Sequence, residues 1–202
     1  ANRLGASALM QALADGYFII PYTLSNYLAT TKLEQVSTEH PGFQQVEVEI
    51  ATRVKKLLGI KGKRTVDSIH QELGKLMWDH CGLVRSERGL NHALAKISEI
   101  REEFRTNIKV LGGDDDLNQA IEKAGRVADF LELAELMCID ALDRSESFGC
   151  HFREEFQTRA REAQRAEEHV WTVSPSQSDG QGQQTQYTKA RLQYETMCLT
   201  HR

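Results

Sequence analysis

Residues 127–142 read VADFLELAELMCIDAL, and twelve of these sixteen positions are apolar. On a helix turning about 100° per residue, the other four, Asp129, Glu132, Glu135 and Asp140, fall within an arc of about 140°. The stretch therefore predicts a helix that is wet on one narrow face and packed elsewhere. Upstream, Gly112-Gly113 and then Asp114, Asp115 and Asp116 suit a helix start, because short acidic side chains accept from free N–H groups and favour the positive end of the dipole. Downstream the text turns polar, from Asp143-Arg144-Ser145-Glu146-Ser147 to His151-Phe152-Arg153-Glu154-Glu155. The helix is thus expected over 114–147 with a polar closing segment.

Two more amphipathic stretches precede it. Thr65 is placed to cap a helix whose stripe is Ile69, Leu73, Leu76 and Met77, extending to Cys81 and stopping near Gly82. Ser86 is placed to cap the next, with Leu90, Leu94, Ile97, Ile100 and Phe104 at helical spacing. Three such helices joined by short turns predict an up-down three-helix bundle. Trp78 reads as a packing residue and His80 as a helix-end residue.

Before the bundle, Leu9, Ala12 and Leu13 mark a helix ending at Gly16. Phe18-Ile19-Ile20-Pro21-Tyr22 reads as a short extended piece, and Thr23 to Thr31 as a brief helix with Leu24, Tyr27 and Leu28 on one side. A boundary at 38–42 leads to a helix from Phe43 to Leu58, and Gly59 to Arg64 is a basic linker. After Thr158 the composition shifts. Arg159 to Glu168 is charged, His169 to Val173 reads as a strand, 174–186 is a Ser/Gly/Gln-rich loop, and Arg191 to Thr200 alternates as a returning strand. The expected fold class is mainly α: the bundle, extra N-terminal helices and a small C-terminal β appendage.

With 202 residues and 40% hydrophobic content, the chain can bury one respectable core. A net charge of -4 argues against general attraction to nucleic acid, and the basic linker has no interleaved aromatic residue. Cys81, Cys138, Cys150 and Cys198 form no CxxC pair, so neither a metal site nor a redox dithiol is expected, and a reducing compartment is. No apolar run approaches the ~18–20 residues of a membrane span.

The polar segment Arg144-x-Glu146-Ser147-x-Gly149-x-His151-x-Arg153-x-Glu155 resembles a pattern close to R-x-E-S-R-G-x-H-x-R-x-D in the flavoprotein subunits of succinate dehydrogenase and fumarate reductase. Phe148 stands where most members carry arginine, and Glu155 where many carry aspartate. Two further stretches agree in the same order. Ala1-Asn2-Arg3-Leu4-Gly5 with Leu9 resembles the family's H-G-A-N-R-L-G-x-N-S-L, with Ser7 for its asparagine and Ala8 for its serine. Leu73 to Trp78 resembles its L-x-x-x-M-W.

The resemblance implies a C-terminal fragment of such a subunit: residues 1–40 as the tail of the FAD-binding domain, 41–158 as a helical bundle domain with its core at 65–147, and 159–202 as the charged segment and β appendage. It implies an FAD enzyme interconverting succinate and fumarate, an iron–sulfur partner subunit, a membrane-anchor subunit, and a cytoplasmic position on the inner face of the cell membrane. On this reading Arg3 is the catalytic residue. Its guanidinium holds a substrate carboxylate through two parallel charge-assisted hydrogen bonds. Ala8 and Leu9, at a helix start, offer backbone donors to the cofactor. The fragment alone is expected to be inactive. Two other readings remain: an L-aspartate oxidase-like flavoenzyme, and a free-standing helical interaction module.

Overall fold

In the computed structural model the described residues are 7–33, 36–113, 117–164, 169–175 and 185–191. The chain divides into two compact units, Ala1–Arg53 and Val54–Arg202.

The first unit is helical. α1 (Ser7–Ala14) runs through a π-helical turn (Asp15–Ile19) into α2 (Ile20–Thr30). The extended piece expected at Phe18–Tyr22 is thus helical instead. Pro21 sits in the first turn of α2, where its missing N–H would have had no helical partner and its fixed φ suits the helix. No described residue of this unit is buried. The next helix, α3 (Pro41–Gly59), crosses the division between the units, and its Leu57 joins the core of the second.

The second unit is built on α4 (Val66–His80), α5 (Glu87–Asn107) and α6 (Gln119–Asp143), which pack against one another up-down-up. Thr65 Oγ1 accepts from Ser68 N–H at 3.1 Å and Ser86 Oγ from Gly89 N–H at 3.2 Å, so both expected caps form. Ile69, Leu73, Leu90, Ala93, Ile97, Ile100 and Phe104 fill the interior with Val127, Leu131, Ala134 and Cys138.

α6 departs from the sequence reading in three respects. It starts later and ends earlier than 114–147, because Asn118, rather than an aspartate, is the cap, accepting from Ala120 N–H at 2.9 Å; Asp114, Asp115 and Asp116 lie outside the described residues. Its buried stripe is narrow, Ala124, Val127, Leu131, Ala134, Cys138 and Ala141. Phe130, Leu133 and Met137 are exposed beside the acidic face, since among the described elements α6 packs chiefly against α4 and α5. Trp78, on the outer side of α4, is 83% exposed and is no packing residue in this chain.

Two short parallel strand pairs clasp the bundle. β1 (Arg64–Thr65) pairs with β3 (Ile108–Lys109), tying the start of α4 to the end of α5. β2 (Val84–Arg85) pairs with β4 (Phe152–Arg153), tying the α4–α5 turn to the segment beyond α6. The first clasp requires a glycine: a Cβ on Gly62 would stand 1.9 Å from the carbonyl carbon of Asn107. Beyond the bundle, β5 (His169–Pro175) and β6 (Thr185–Arg191) form an antiparallel pair in the register His169↔Arg191 to Pro175↔Thr185. The returning strand therefore lies before residues 191–200, over Thr-, Tyr- and Thr-bearing positions that favour extended backbone. Residues 192–202 lie outside the described residues.

Candidate functional site: the buried polar end of the bundle

The second clasp places Arg85 alongside Arg153, and a buried polar cluster grows around that register. Arg85 Nε donates to Gly82 O at 2.9 Å, and its Nη1 lies 2.9 Å from His151 Nδ1. A guanidinium only donates, so Nδ1 is the acceptor and His151 is neutral with its proton on Nε2. His151 is 3% exposed. Burial, with the charges of Arg144 and Arg85, pulls its pKa down to about 4. Held neutral in this way, His151 is set to accept a fixed hydrogen bond from Arg85.

Arg153, 2% exposed, is the centre of the cluster. Nη1 donates to Ala141 O at 2.7 Å and Leu142 O at 3.2 Å, satisfying carbonyls in the last turn of α6 and setting a cation at the negative end of its dipole. Nε donates to Glu155 Oε2 at 2.9 Å, and the guanidinium lies 5.2 Å from the centre of the Phe156 ring. Glu155 Oε1 in turn accepts from Glu87 N–H at 2.7 Å, at the start of α5. Burial pushes the Glu155 carboxyl up, but the N–H groups of Glu87 and of its own backbone, with Arg153, outweigh it and hold the group below the usual carboxylate range. One arginine–glutamate pair thus joins the end of α6 to the beginning of α5.

Ser147, buried, makes a reciprocal contact with Arg153: its Oγ accepts from Arg153 N–H at 2.8 Å and donates to Arg153 O at 3.1 Å. Arg144 Nη2 donates to Glu146 Oε1 at 2.8 Å. Phe148 and His151 exchange backbone hydrogen bonds of 2.7 and 3.1 Å around a tight turn, where Gly149 has φ +63°, a conformation that L side chains seldom adopt. Phe148, where the family pattern has arginine, is half exposed at the mouth of this turn. Two buried donors, Arg144 Nε and His151 Nε2, have no hydrogen-bond partner among the described residues.

The polar residues singled out after α6 do come together. The sequence reading missed Arg85 and Glu87, which complete the cluster from the other side. The available signal was an arginine immediately before the Ser86 cap, on a chain segment with only one turn to cross. Of the three residues expected at the catalytic and cofactor sites, Arg3 is outside the described residues, and Ala8 and Leu9 occupy the first turn of α1, Ala8 half-buried and Leu9 70% exposed. Among the described residues no cluster of His, Cys, Asp or Glu could hold a metal ion.

Comparison with known proteins gives this architecture its place. Residues 70–202 match the family described as fumarate reductase flavoprotein, C-terminal. An uncharacterized FAD-dependent oxidoreductase of Methanocaldococcus jannaschii is 32% identical over 158 residues, 77% of this chain and 26% of that protein. The fumarate reductase flavoprotein subunit of Haemophilus influenzae is 24% identical over 159 residues, 79% of this chain and 26% of its own length. The chain therefore spans about a quarter of the length of these relatives. Among solved structures, the Mycobacterium smegmatis Sdh1 complex in the apo form superposes with a TM-score of 0.66 at 23% identity, over 86% of this chain and 27% of the other, a likeness of fold. The chain belongs to the fumarate reductase and succinate dehydrogenase flavoprotein family, as a C-terminal portion of such a subunit.

Proposed function

We propose that this chain is the C-terminal part of an FAD-dependent oxidoreductase that interconverts succinate and fumarate, and that it is inactive by itself. The observation that carries the reading is the family match over residues 70–202. The names of relatives support the substrates: fumarate reductase in Haemophilus influenzae and succinate dehydrogenase in Rickettsia felis, the latter 27% identical over 163 residues. We further propose that residues 1–40 close the FAD-binding domain, with 41–158 as the bundle domain and 159–202 as an appendage. An iron–sulfur subunit and a membrane anchor are the proposed partners, with the assembly on the cytoplasmic face of the cell membrane. No described helix is long and apolar enough to cross a membrane.

The first turn of α1 fits a flavin edge in chemical terms. It begins with the small residues Ser7 and Ala8 and carries no acidic residue, so its N–H groups suit an electron-rich group. FAD, when bound, supplies the two-electron hydride chemistry. Ala8 and Leu9 contribute backbone donors to it, and most of the cofactor is held by protein outside this chain. Arg3 binds one substrate carboxylate with two hydrogen bonds, fixes the orientation of the carbon–carbon bond, and stabilises charge that develops during the reaction. The polar end of the bundle holds helices together and takes no part in proton transfer.

The test is Arg3→Ala and Arg3→Lys in the complete flavoprotein, assayed as purified, flavin-loaded enzyme. Loss of such a contact typically costs about 3 kcal/mol, or roughly two decades in rate. Both variants are expected to retain FAD while succinate oxidation and fumarate reduction fall together. Near-normal turnover in Arg3→Ala would remove Arg3 from the site. Turnover of L-aspartate in place of succinate by the unaltered enzyme would move the substrate assignment to an aspartate oxidase.

A further inference from the structure

α6 presents to solvent a stripe that the bundle does not use. Phe130, Leu133 and Met137 are exposed on it, and Asp140 continues it half-buried. The spacing is three, four and three residues, the 3.5-residue repeat by which one helix lies along another. The neighbouring helix adds to this face. α4 runs parallel to α6, since Lys123 Nζ lies 3.3 Å from Asp67 Oδ1, the His70 and Phe130 rings stack at 5.4 Å, and Cys138 Sγ lies 3.8 Å from Met77 Sδ. On the outer side of α4, a Cβ at Gly74 would meet nothing within 4 Å beyond its own helix backbone, and one turn further on Trp78 projects into solvent. The two helices together form an apolar surface with a shallow notch at Gly74.

Charge runs along the stripe with a direction. Arg126 lies seven residues before Leu133 and Asp140 seven after it, two helical turns either way. Lys123 adds a second cation at the first end and Asp143 a second anion at the other. Among the described residues Arg126 pairs with Glu122 on its own helix and Lys123 with Asp67, all four side chains being exposed; surface pairs of this kind hold little energy and exchange readily. Asp140 makes no ion pair among the described residues. Burial pushes its carboxyl above the usual carboxylate range, and Arg144 and Arg85 only partly offset this. A face that is basic at one end, apolar in the middle and acidic at the other is complementary to itself when a second copy is laid antiparallel.

We propose that two copies of this chain associate through α6, antiparallel about a two-fold axis at Leu133. Arg126 of each copy then faces Asp140 of the other, so the charge contact forms twice. Leu133 meets its own counterpart, flanked by Phe130 and Met137 of both copies. Such an interface uses the same patch on both sides and closes at two copies. One helix face with Trp78 at its margin is at the small end of specific interfaces, so the dimer is held at micromolar affinity. The inference is independent of the substrate assignment, since it needs neither flavin nor dicarboxylate.

Sedimentation equilibrium of the whole chain in reducing buffer, from low to high micromolar concentration, reads the association. A monomer–dimer equilibrium is expected, with no species beyond two copies. Leu133→Lys, which sets two cations on the axis, is expected to weaken it about thirtyfold, and Arg126→Asp or Asp140→Arg alone about tenfold. Arg126→Asp and Asp140→Arg together reverse both ends, and are expected to return the affinity to within about threefold of the original. A monomer at every concentration, a mass that climbs past the dimer, unchanged association in Leu133→Lys, or a double variant no tighter than the single ones would overturn the proposal. Circular dichroism checks that each variant keeps its helix. If a charge variant fails to fold, Leu133→Cys in a Cys150→Ser and Cys198→Ser background decides the same point. Mild oxidation is expected to link two copies through that position, and peptide mapping that finds no such link would overturn the proposal equally.

Discussion

α2 carries Leu24, Tyr27 and Leu28 at helical spacing, and α5 carries Leu90, Ala93, Ile97, Ile100 and Phe104 at the same spacing. All five of the α5 residues are buried, whereas the three on α2 are each more than half exposed. A period of 3.6 is sufficient to make a helix with an apolar stripe, but a stripe is buried only when a second stripe faces it. α5 has α4 on one side and α6 on the other. Among the described elements of its own unit, α2 packs chiefly against the π-helical turn that precedes it. The two halves of the chain share a local code and differ in partners.

The sharpest way to break this comparison is to remove side chain from the bundle. Ile97→Ala, at a fully buried position, is expected to cost about 4 kcal/mol, a large part of a typical domain's stability. Urea unfolding followed by circular dichroism measures it, and a loss under 1 kcal/mol would mean that the α4–α5–α6 interior is not the stabilising core. Next comes Arg153→Met, which keeps bulk and removes the donors. It leaves the Ala141 and Leu142 carbonyls and one side of Glu155 unmatched, for a cost of about 3 kcal/mol. An unchanged midpoint would show that the polar end is dispensable for folding.

The third expectation concerns acid. His151 has a folded pKa of about 4 against 6.5 in the unfolded chain, so the unfolded chain takes up this proton first as the pH falls. The stabilising contribution is present above pH 6.5, is lost as the pH drops through about 4, and amounts to about 3 kcal/mol at most. His151→Gln, which can still accept from Arg85, is expected to flatten the slope of stability against pH between those limits. Equal slopes in the two proteins would assign the acid response to carboxylates alone. The smallest effect closes the comparison: Leu28→Ala on α2 is expected to change stability by less than about 0.5 kcal/mol, because it deletes surface that is already in water. A loss comparable to that of Ile97→Ala would show that α2 has a partner in solution.

The legible parts of the fold were those written in local chemistry. Thr65 and Ser86 each precede a stripe at 3.6 spacing, and both cap as expected. At the start of α6 the same logic chose Asp114–Asp116 over Asn118, because three acids in a row look like a dipole partner, while a lone asparagine looks ordinary. The width of the buried face of α6 was overstated because periodicity counts apolar residues without counting neighbours. The two-residue strands of the clasps carry no period at all. Arg85 was therefore invisible as the partner of His151, since their meeting depends on how the α4–α5 turn docks against the segment beyond α6. The residues from Arg144 to Glu155 were legible as a group through their resemblance to a family pattern, and their neutral, arginine-bound histidine emerged only from distances.

The two clasps also impose a schedule on synthesis. Ile108 and Lys109 emerge from the ribosome while α6 is still unmade, so the clasp between β1 and β3 can close around α4 and α5 at once. At the opposite end, Arg85 must wait for His151, and the start of α5 for Glu155, until the chain has been extended past α6. A nascent chain halted before residue 147 would hold three helices with one end fastened and the other open, its α6 carbonyls still bare. The segment from Ser147 to Glu155 is therefore the latch that arrives last, and release of this protein from translation before that point would yield a bundle joined at one end only.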